Sequence, residues 1–317
     1  MSQRTKRPLK IGLGLTVFEE DTGHTLRWNE IKALAQHAEA VGFDSLWLPD
    51  HLIFDVGDQD RPPRGLPECW STLASLAAIT TRVELGTLVV CTSFRNPALL
   101  AKMADTVDEI SEGRLILGLG AGYHEPEYRA FGYPLDHLVG RFEESLKIIH
   151  GLLCDGRVDF EGQYYTAREC ELRPRGQNRL RPPILIGARP DRPRSLRLTA
   201  QYADYWNIFA VNQVENVVPA LQALDAACAK AGREPTTLKR TVTVLVDLPG
   251  SESDPSKGGF SKFFASRTPA TGTSEQLAEL LRGFARTGIE HVQIFMAPLT
   301  RAGVDAFAPV LEILDRG

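Results

Sequence analysis

Short apolar runs alternate with longer amphipathic segments along the whole chain. In the amphipathic segments the apolar residues recur at the spacing of one helical face, as at Ile31, Leu34 and Ala38. Repeated strand–helix units predict a parallel sheet, and eight units favour a closed (β/α)8 TIM barrel over an open doubly wound sheet, because such a barrel needs about 250 residues before insertions. The apolar runs predict strands at residues 10–15, 45–48, 83–90, 115–119, 184–186, 205–209, 239–246 and 291–295.

Four long connections, rich in Gly, Pro, Asp and Arg, take up the residues beyond the barrel. Each follows a strand, or a strand and its helix, so the whole chain, residues 1–317, is expected to form one domain. Residues 158–170 alternate in polarity around Glu161 and Gly162 and predict a small hairpin before the fifth strand, as a lid or rim. The connections span residues 51–67, 120–137, 155–183 and 249–272.

Composition narrows the class of protein. A chain of 317 residues with 43% hydrophobic and 24% charged residues is typical of a compact globular protein. A net charge of −4 gives no field that attracts nucleic acid, and neither an apolar leader segment nor a run of 18 apolar residues is present, so a cytoplasmic protein without a membrane or nucleic-acid partner is expected. Five scattered cysteines without CxxC spacing predict reduced thiols, with no disulfide framework and no metal site.

Residues 114–134 run from a buried strand into a glycine-rich loop. Such a loop resembles a dinucleotide-binding fingerprint, which requires its glycines to open a helix. Here the loop continues into Tyr123, His124 and Glu125, and Pro126 is expected to prevent a helix. The glycines therefore predict close backbone approach to another kind of cofactor, with His124 and Glu125 as candidate contacts.

Polar residues also stand where the second and third strands end. Asp50 and His51 follow the second strand, and histidine can serve as acid, base or hydrogen-bond donor near neutral pH; the alternative is a pair that only pins its own loop. Cys91, at the end of the third strand, is interpreted as a small buried hydrophobe rather than a nucleophile. Arg95 either meets an anionic ligand or is a solvated or packing residue.

The segment after the fifth strand is a candidate phosphate site. Gly187, Ala188 and Arg189 lead into a predicted helix whose free amides could hold a phosphate, and Arg192 and Arg194 add positive charge. A charged surface turn is the alternative. The motifs HExxH, GxSxG and GxxxxGK[ST] are absent from the sequence, which disfavours metal hydrolysis, serine hydrolysis and nucleoside-triphosphate cleavage.

Long segments of the chain resemble the bacterial luciferase-like (β/α)8 flavin and deazaflavin oxidoreductases. SLWLPDHL at residues 45–52 is similar to the family's second strand with its Asp-His turn, and ADYWNIF and GTSEQLAELLRGFARTGIEHVQIF are similar to its later units. Residues 68–132 resemble the subgroup that uses coenzyme F420 more closely than the FMN-dependent monooxygenases.

The resemblance implies an F420-dependent oxidoreductase that transfers a hydride between the deazaflavin and a small organic substrate. A reduced-FMN-dependent monooxygenase is the first alternative, and a non-catalytic flavin-binding protein on the same barrel is the second. A homodimer is also implied. Asp50 and His51 would face the ring system as the catalytic residues, with His51 as the proton or hydrogen-bond donor.

The resemblance further implies where the cofactor lies. A non-prolyl cis peptide at about Leu88–Val89 would press against its middle ring, near Cys91. The basic loop with Arg173, Arg175, Arg179 and Arg181 would either meet the polyglutamate tail of F420 or be solvated. The tail and phosphate would be held by Tyr123, His124, Glu125, Gly187, Ala188, Arg189 and Arg194.

The chain departs from the family pattern at three positions. Members that act on sugar phosphates or alcohols carry a Trp beyond the Asp-His turn and a Glu after the glycine-rich strand, whereas Phe54 and Tyr123 stand near those positions here. A Gly-Gly pair is usual after the fifth strand, and this chain has Gly187-Ala188 instead. The first two departures disfavour sugar phosphates and alcohols as substrates, and the third weakens the expected phosphate contact.

Overall fold

A computed structural model describes residues 7–19, 25–55, 63–175, 181–248 and 267–317. Its strands, in chain order, are β1 (Lys10–Gly14), β2 (Ser45–Leu48), β3 (Ile53–Phe54), β4 (Arg64–Gly65), β5 (Glu84–Thr87), β6 (Val90–Cys91), β7 (Leu115–Gly120), β8 (Arg157–Glu161), β9 (Thr166–Glu171), β10 (Ile184–Gly187), β11 (Tyr205–Ile208), β12 (Lys239–Asp247) and β13 (His291–Ala297). Its α-helices are α1 (Trp28–Val41), α2 (Cys69–Ile79), α3 (Pro97–Ile110), α4 (Glu125–Phe131), α5 (Leu138–Asp155), α6 (Pro193–Tyr202), α7 (Val218–Lys230), α8 (Ser274–Arg286) and α9 (Arg301–Asp315).

Eight parallel strands close into a barrel in the order β1-β2-β5-β7-β10-β11-β12-β13. The circle closes because β13 pairs with β1, with Lys10 opposite His291. The β7–β10 pair, with Gly118 opposite Leu185, joins the two halves of the chain. The (β/α)8 TIM-barrel prediction is therefore confirmed, and each apolar run that predicted a strand forms one.

The helices bury the apolar faces that the sequence predicts. On α3, Leu100, Ala104 and Val107 are buried against the barrel. The helix α8 begins with a capping box, in which Thr273 and Gln276 each bond the other's backbone amide. No helix in the described parts of the chain combines the length and apolar character that a membrane crossing would need.

The third predicted strand is divided. β5 ends at Thr87, β6 begins at Val90, and the peptide bond between Leu88 and Val89 is cis, as expected. The predicted hairpin is also present, as β8 and β9 pair antiparallel with Val158 opposite Cys170.

The helix α4 contradicts the expectation that Pro126 prevents a helix. Pro126 is the second residue of α4, and an amide in the first turn has no intrahelical partner to lose. Gly132, with φ +76°, ends this helix in the left-handed conformation. Side chains of the first turn of α4 therefore lie at the barrel mouth.

Trp47 fills the barrel beneath its mouth. Its side chain is fully buried, and its Nε1 donates to Ser45 Oγ over 2.7 Å. Gly12 and Gly86 on the neighbouring strands leave room for the indole, since a Cβ on Gly86 would lie 2.2 Å from the ring. The barrel is thus a packed core at this level.

Candidate active site

The Leu88–Val89 segment forms a bulge at the carboxyl end of the barrel. Thr87 Oγ1 donates to the Gly118 carbonyl over 2.8 Å and accepts from the Gly118 amide over 2.9 Å. A Cβ on Gly118 would lie 1.8 Å from the Thr87 carbonyl oxygen, and one on Gly120 would lie 2.7 Å from Val89 Cγ2. These glycines therefore make room for the bulge rather than for a bound ligand, which corrects the interpretation of the glycine-rich stretch.

His51 pairs with a carboxylate that the sequence did not indicate. Its Nδ1 lies 3.0 Å from Glu127 Oε2 and 3.2 Å from Oε1. Glu127 is buried, and its Oε1 also accepts from the backbone amides of Leu52 and Ile53. The third residue of α4 thus binds both the ring of His51 and the loop that follows it.

His124 fastens the same loop by another bond. Its Nε2 accepts from the Asp55 amide over 3.0 Å, so this nitrogen carries no proton. Burial lowers the pKa of the His124 ring below its ordinary value. Of the two histidines, His124 is therefore a neutral support of the loop, and it is not placed as an acid in this arrangement.

Four rings gather at this side of the mouth. Phe54 stacks on His124 with centroids 5.0 Å apart and 19° between planes. The His51 ring lies edge-on to Phe54 at 4.7 Å and to Tyr123 at 5.9 Å. Tyr123 is 69% exposed, so it presents its ring to the open side of the cluster. Phe54 and Tyr123 thus stand next to His51, although neither is the residue type usual in the resembled subgroup.

Asp50 is held in a buried ion pair with Arg95. Arg95 binds both of its oxygens, at 2.6 and 3.0 Å, and the Cys91 amide donates to Oδ2 over 3.0 Å. Burial raises the pKa of the Asp50 carboxyl, and the hydrogen bonds and charge of Arg95 oppose that rise. That Asp50 faces a cofactor ring stays a prediction that this placement does not favour: its carboxylate has no exposed area and ties the loop after β2 to the start of α3. Arg95, which also pairs with Glu68 at 2.6 Å, is a packing residue.

Cys91 is placed as the small buried residue that the sequence predicts. Its Sγ lies 3.0 Å from the Tyr128 hydroxyl, beneath Gly122, whose Cβ would lie 2.5 Å from that sulfur. Burial raises the pKa of the Cys91 thiol to about 12. A thiol with that pKa is not a nucleophile at neutral pH. Its contact with a cofactor remains a prediction, since its partners in the structure are Tyr128 of α4 and Asp50.

Glu125 is turned to solvent. Its side chain is 60% exposed and pairs with Arg129 one turn further along α4, at 3.0 Å. The expectation of Glu125 as a cofactor contact is therefore not supported by its placement, and the buried carboxylate of this turn belongs to Glu127. The sequence contains a signal for this helix, because Pro126 is tolerated in a first turn and an acidic residue beside it, Glu127, favours a helix start.

The residues after β10 divide between the mouth and the surface. Gly187 faces Val89, and a Cβ there would meet only its methyl groups, at 3.6 and 3.7 Å. Ala188 is buried and its carbonyl accepts from Trp206 Nε1. Arg189 is exposed and pairs with Asp191 at 3.0 Å. Gly187 is thus the residue of this segment that leaves open space beside the bulge.

Arg194 lies at a polar cavity of about 620 Å³ between the start of α5, the β8–β9 turn and the start of α6. Arg194 and Arg197 both bind Glu143, at 2.7 and 3.0 Å. Burial raises the pKa of Glu143, but the hydrogen bonds and charges of the two arginines outweigh it, so its pKa is lowered. The cavity is also lined by Lys147 and Tyr164.

The basic loop before β10 is largely paired within the protein. Arg173 pairs with Glu171 at 2.6 Å, and Arg175 donates to the Leu153 carbonyl. Arg181 binds Asp204 through both terminal nitrogens, at 2.6 and 2.9 Å. Arg179 lies outside the described residues. These contacts favour the interpretation of a structural or solvated loop over that of a tail site.

Fold and site together define a (β/α)8 barrel whose mouth carries an imidazole–carboxylate pair beside a cis-peptide bulge. The family model for luciferase-like monooxygenases matches residues 11–249, and the chain belongs to that family. The expected luciferase-like family is thereby confirmed.

Curated relatives with two different activities are similar to the chain. The pyrimidine monooxygenase RutA of Stutzerimonas stutzeri (strain A1501) is 34% identical over 213 residues, which cover 65% of this chain and 58% of the relative. The F420-dependent glucose-6-phosphate dehydrogenase of Microbacterium testaceum (strain StLB037) is 33% identical over 210 residues, which cover 65% of this chain and 60% of that one. The chain thus spans about three-fifths of the length of these relatives.

A solved structure supports the fold over almost the full length. The structure described as an F420-dependent secondary alcohol dehydrogenase in complex with an F420-acetone adduct has a TM-score of 0.79 and 19% sequence identity. The match covers 96% of this chain and 99% of that chain. At that identity the likeness concerns the fold alone.

Proposed function

We propose that this protein is an F420-dependent oxidoreductase that transfers a hydride between the deazaflavin and a small organic substrate. The observation that carries the proposal is His51, held by buried Glu127 at the barrel mouth. A group that can move a proton is what a hydride transfer needs where charge develops on the substrate. The likeness to an F420-dependent dehydrogenase at 33% identity supports the same cofactor.

The residues present fit a flat ring of this kind. Gly187 has only the methyl groups of Val89 within 4 Å of a Cβ position, so the space beside the bulge is open on its side. Leu88, Val89 and Gly187 would hold the ring, and Arg194 at the start of α6 would meet the phosphate. When bound, F420 supplies the carbon that carries the hydride.

The protein's own part is to orient the substrate and to move a proton. His51 reaches the mouth through the loop after β2, with Phe54 and Tyr123 beside it as apolar walls. These rings would exclude water from the face of the substrate next to the imidazole. The Nε2 of His51 would then exchange a proton with a substrate oxygen or nitrogen.

A reduced-FMN monooxygenase is the second candidate. It is favoured by the likeness to a pyrimidine monooxygenase, at 34% identity over 65% of this chain. The same bulge and the same open side at Gly187 suit a flavin ring equally well. The two candidates differ in the cofactor that the site accepts and in the need for oxygen.

Cofactor titration separates the candidates. Purified protein is titrated with oxidised F420 and with FMN, and binding is followed by the change in fluorescence of each ring. The proposal expects tight binding of F420; tight binding of FMN with none of F420 would refute it in favour of the monooxygenase. In the F420-loaded enzyme, His51→Ala is expected to slow hydride transfer about 100-fold with the cofactor Kd nearly unchanged.

A further inference from the structure

The carboxylate of Glu127 meets three groups of one loop. Glu127 is 1% exposed, and its Oε1 accepts from the Leu52 amide over 2.5 Å and from the Ile53 amide over 3.2 Å. The His51 Nδ1 lies 3.0 Å from its Oε2. A backbone amide can only donate, so Oε1 is an acceptor for both.

With Glu127 as an ionised carboxylate, these contacts assign the proton of His51 to Nδ1. An ionised carboxylate has no proton to give, so Nδ1 of His51 must donate to Glu127. Within the described part of the chain, no group bonds to the Nε2 of His51. The neighbouring His124 shows the opposite arrangement, since its Nε2 is taken up by the Asp55 amide. Of the two facing rings, only His51 keeps its Nε2 available.

The same contacts hold the ring in place. The side chain of His51 is 17% exposed, and the rings of Phe54, Tyr123 and His124 surround it at 4.7, 5.9 and 5.9 Å. The bonds to Leu52 and Ile53 fix the backbone on the far side of the same residue. A carboxylate in this position also stabilises the imidazolium that forms when Nε2 takes up a proton.

We propose that Glu127 is a positioning residue that keeps a proton on Nδ1 of His51 and so commits Nε2 to proton exchange with the substrate. The proposal rests on the proposed function, in which His51 serves the hydride transfer. It adds a residue 76 positions away along the chain to that reaction.

Glu127→Gln tests this role with little change of shape. The carboxamide oxygen can still accept from the Leu52 and Ile53 amides, but its NH2 group would face Nδ1, which must then accept. The proton of the neutral His51 ring then moves to Nε2, and no carboxylate faces the ring. We expect kcat for hydride transfer to fall about 100-fold, while KM and the cofactor Kd change less than about threefold. Glu279→Gln, at an exposed ion pair on α8, is the matched control and should leave all three unchanged.

A further readout separates positioning from a purely structural role. In a double-mutant cycle, Glu127→Gln should add little to His51→Ala, since Glu127 acts through that ring. An equal loss in both backgrounds would overturn the proposal.

Nitrogen-15 NMR of the wild-type imidazoles tests the proposal without substrate and without the variant. The His51 signals are identified by their loss in His51→Ala, and Nδ1 is expected to carry a proton at every pH where the protein is folded. An unprotonated Nδ1 would overturn the proposal even if Glu127→Gln does not fold. If His51→Ala leaves hydride transfer unchanged, the proposed function fails instead; if His51→Ala slows it and Glu127→Gln matches Glu279→Gln, only the positioning role fails.

Discussion

Asp50 and Arg95 form a two-point ion pair beneath the barrel mouth, with nitrogen–oxygen distances of 2.6 and 3.0 Å and no exposed area on the carboxylate. Removing one partner of such a buried pair leaves the other charge uncompensated. Asp50→Asn should therefore lower the free energy of unfolding by about 3 kcal/mol, measured by urea denaturation. At temperatures where the variant is folded, it should keep most of the wild-type turnover.

Glu312→Gln is the control for the loss of a carboxylate charge. Its ion pair with Arg316 is exposed on both sides, so the free energy of unfolding should change by less than about 0.5 kcal/mol. If Asp50→Asn were as stable as this control but inactive, Asp50 would have the catalytic role that the sequence suggested rather than a structural one.

The positions of these residues were predictable, but their partners were not. Asp50 and His51 are predicted to lie at the barrel mouth because parallel strands place their carboxyl ends at one rim. Arg95 lies 45 residues from Asp50, and Glu127 lies 76 residues from His51, so the pairs depend on how separate loops meet in space. Local sequence patterns carry no information on such meetings.

The strand pattern was more informative than the loop pattern, for a physical reason. Buried parallel strands are mostly apolar, so every barrel strand is visible in the sequence as an apolar run. A short helix such as α4 depends instead on where Pro126 falls within it, and a proline is tolerated in the first turn. If Pro126 breaks the helix, Glu127 falls in a loop, and the direction of its carboxylate cannot be predicted from the sequence.

Substitution of Gly118 or Gly187 by Ala is predicted to have different effects on stability. Gly118→Ala would place a Cβ 1.8 Å from the Thr87 carbonyl oxygen, so backbone at the bulge must move. We expect a loss of about 1–3 kcal/mol in the free energy of unfolding, together with loss of cofactor binding. Gly187→Ala meets only Val89 methyl groups at 3.6 and 3.7 Å and should keep wild-type stability while weakening cofactor binding. Thermal denaturation and cofactor titration measure the two effects, and wild-type affinity in Gly187→Ala would place the ring elsewhere.

His291 predicts a loss of stability in acid. It is fully buried, and its Nε2 lies 2.7 Å from Ser45 Oγ. Burial, with the charges of Lys10 and Lys239, lowers the pKa of the His291 ring to about 3. The unfolded chain takes up a proton near pH 6.5 and the folded protein does not, so this stabilisation is complete above about pH 6.5. It should be lost as the pH falls toward 3, by up to about 1.4 kcal/mol per pH unit.

Urea unfolding between pH 7 and 4 measures that dependence. His291→Gln should flatten the fall in the free energy of unfolding relative to wild type, although it lowers stability at pH 7. His137→Gln, which removes an exposed ring, is the control and should leave the slope unchanged. Equal slopes in wild type and His291→Gln would mean that the buried ring does not resist protonation.

Arg194 and Arg197 provide a matched pair for the phosphate site. Both bind Glu143, but of the two only Arg194 lines the polar cavity at the start of α6. Arg194→Ala should weaken a phosphate-bearing cofactor about tenfold, as expected for one hydrogen bond to a charged group, and Arg197→Ala should change its Kd less than about twofold. Fluorescence titration with the ring compound that lacks the phosphate should give the same Kd for both variants and wild type. Because both substitutions free the same carboxylate, equal weakening by the two would assign the effect to Glu143 and the general field, and not to a contact between Arg194 and the phosphate.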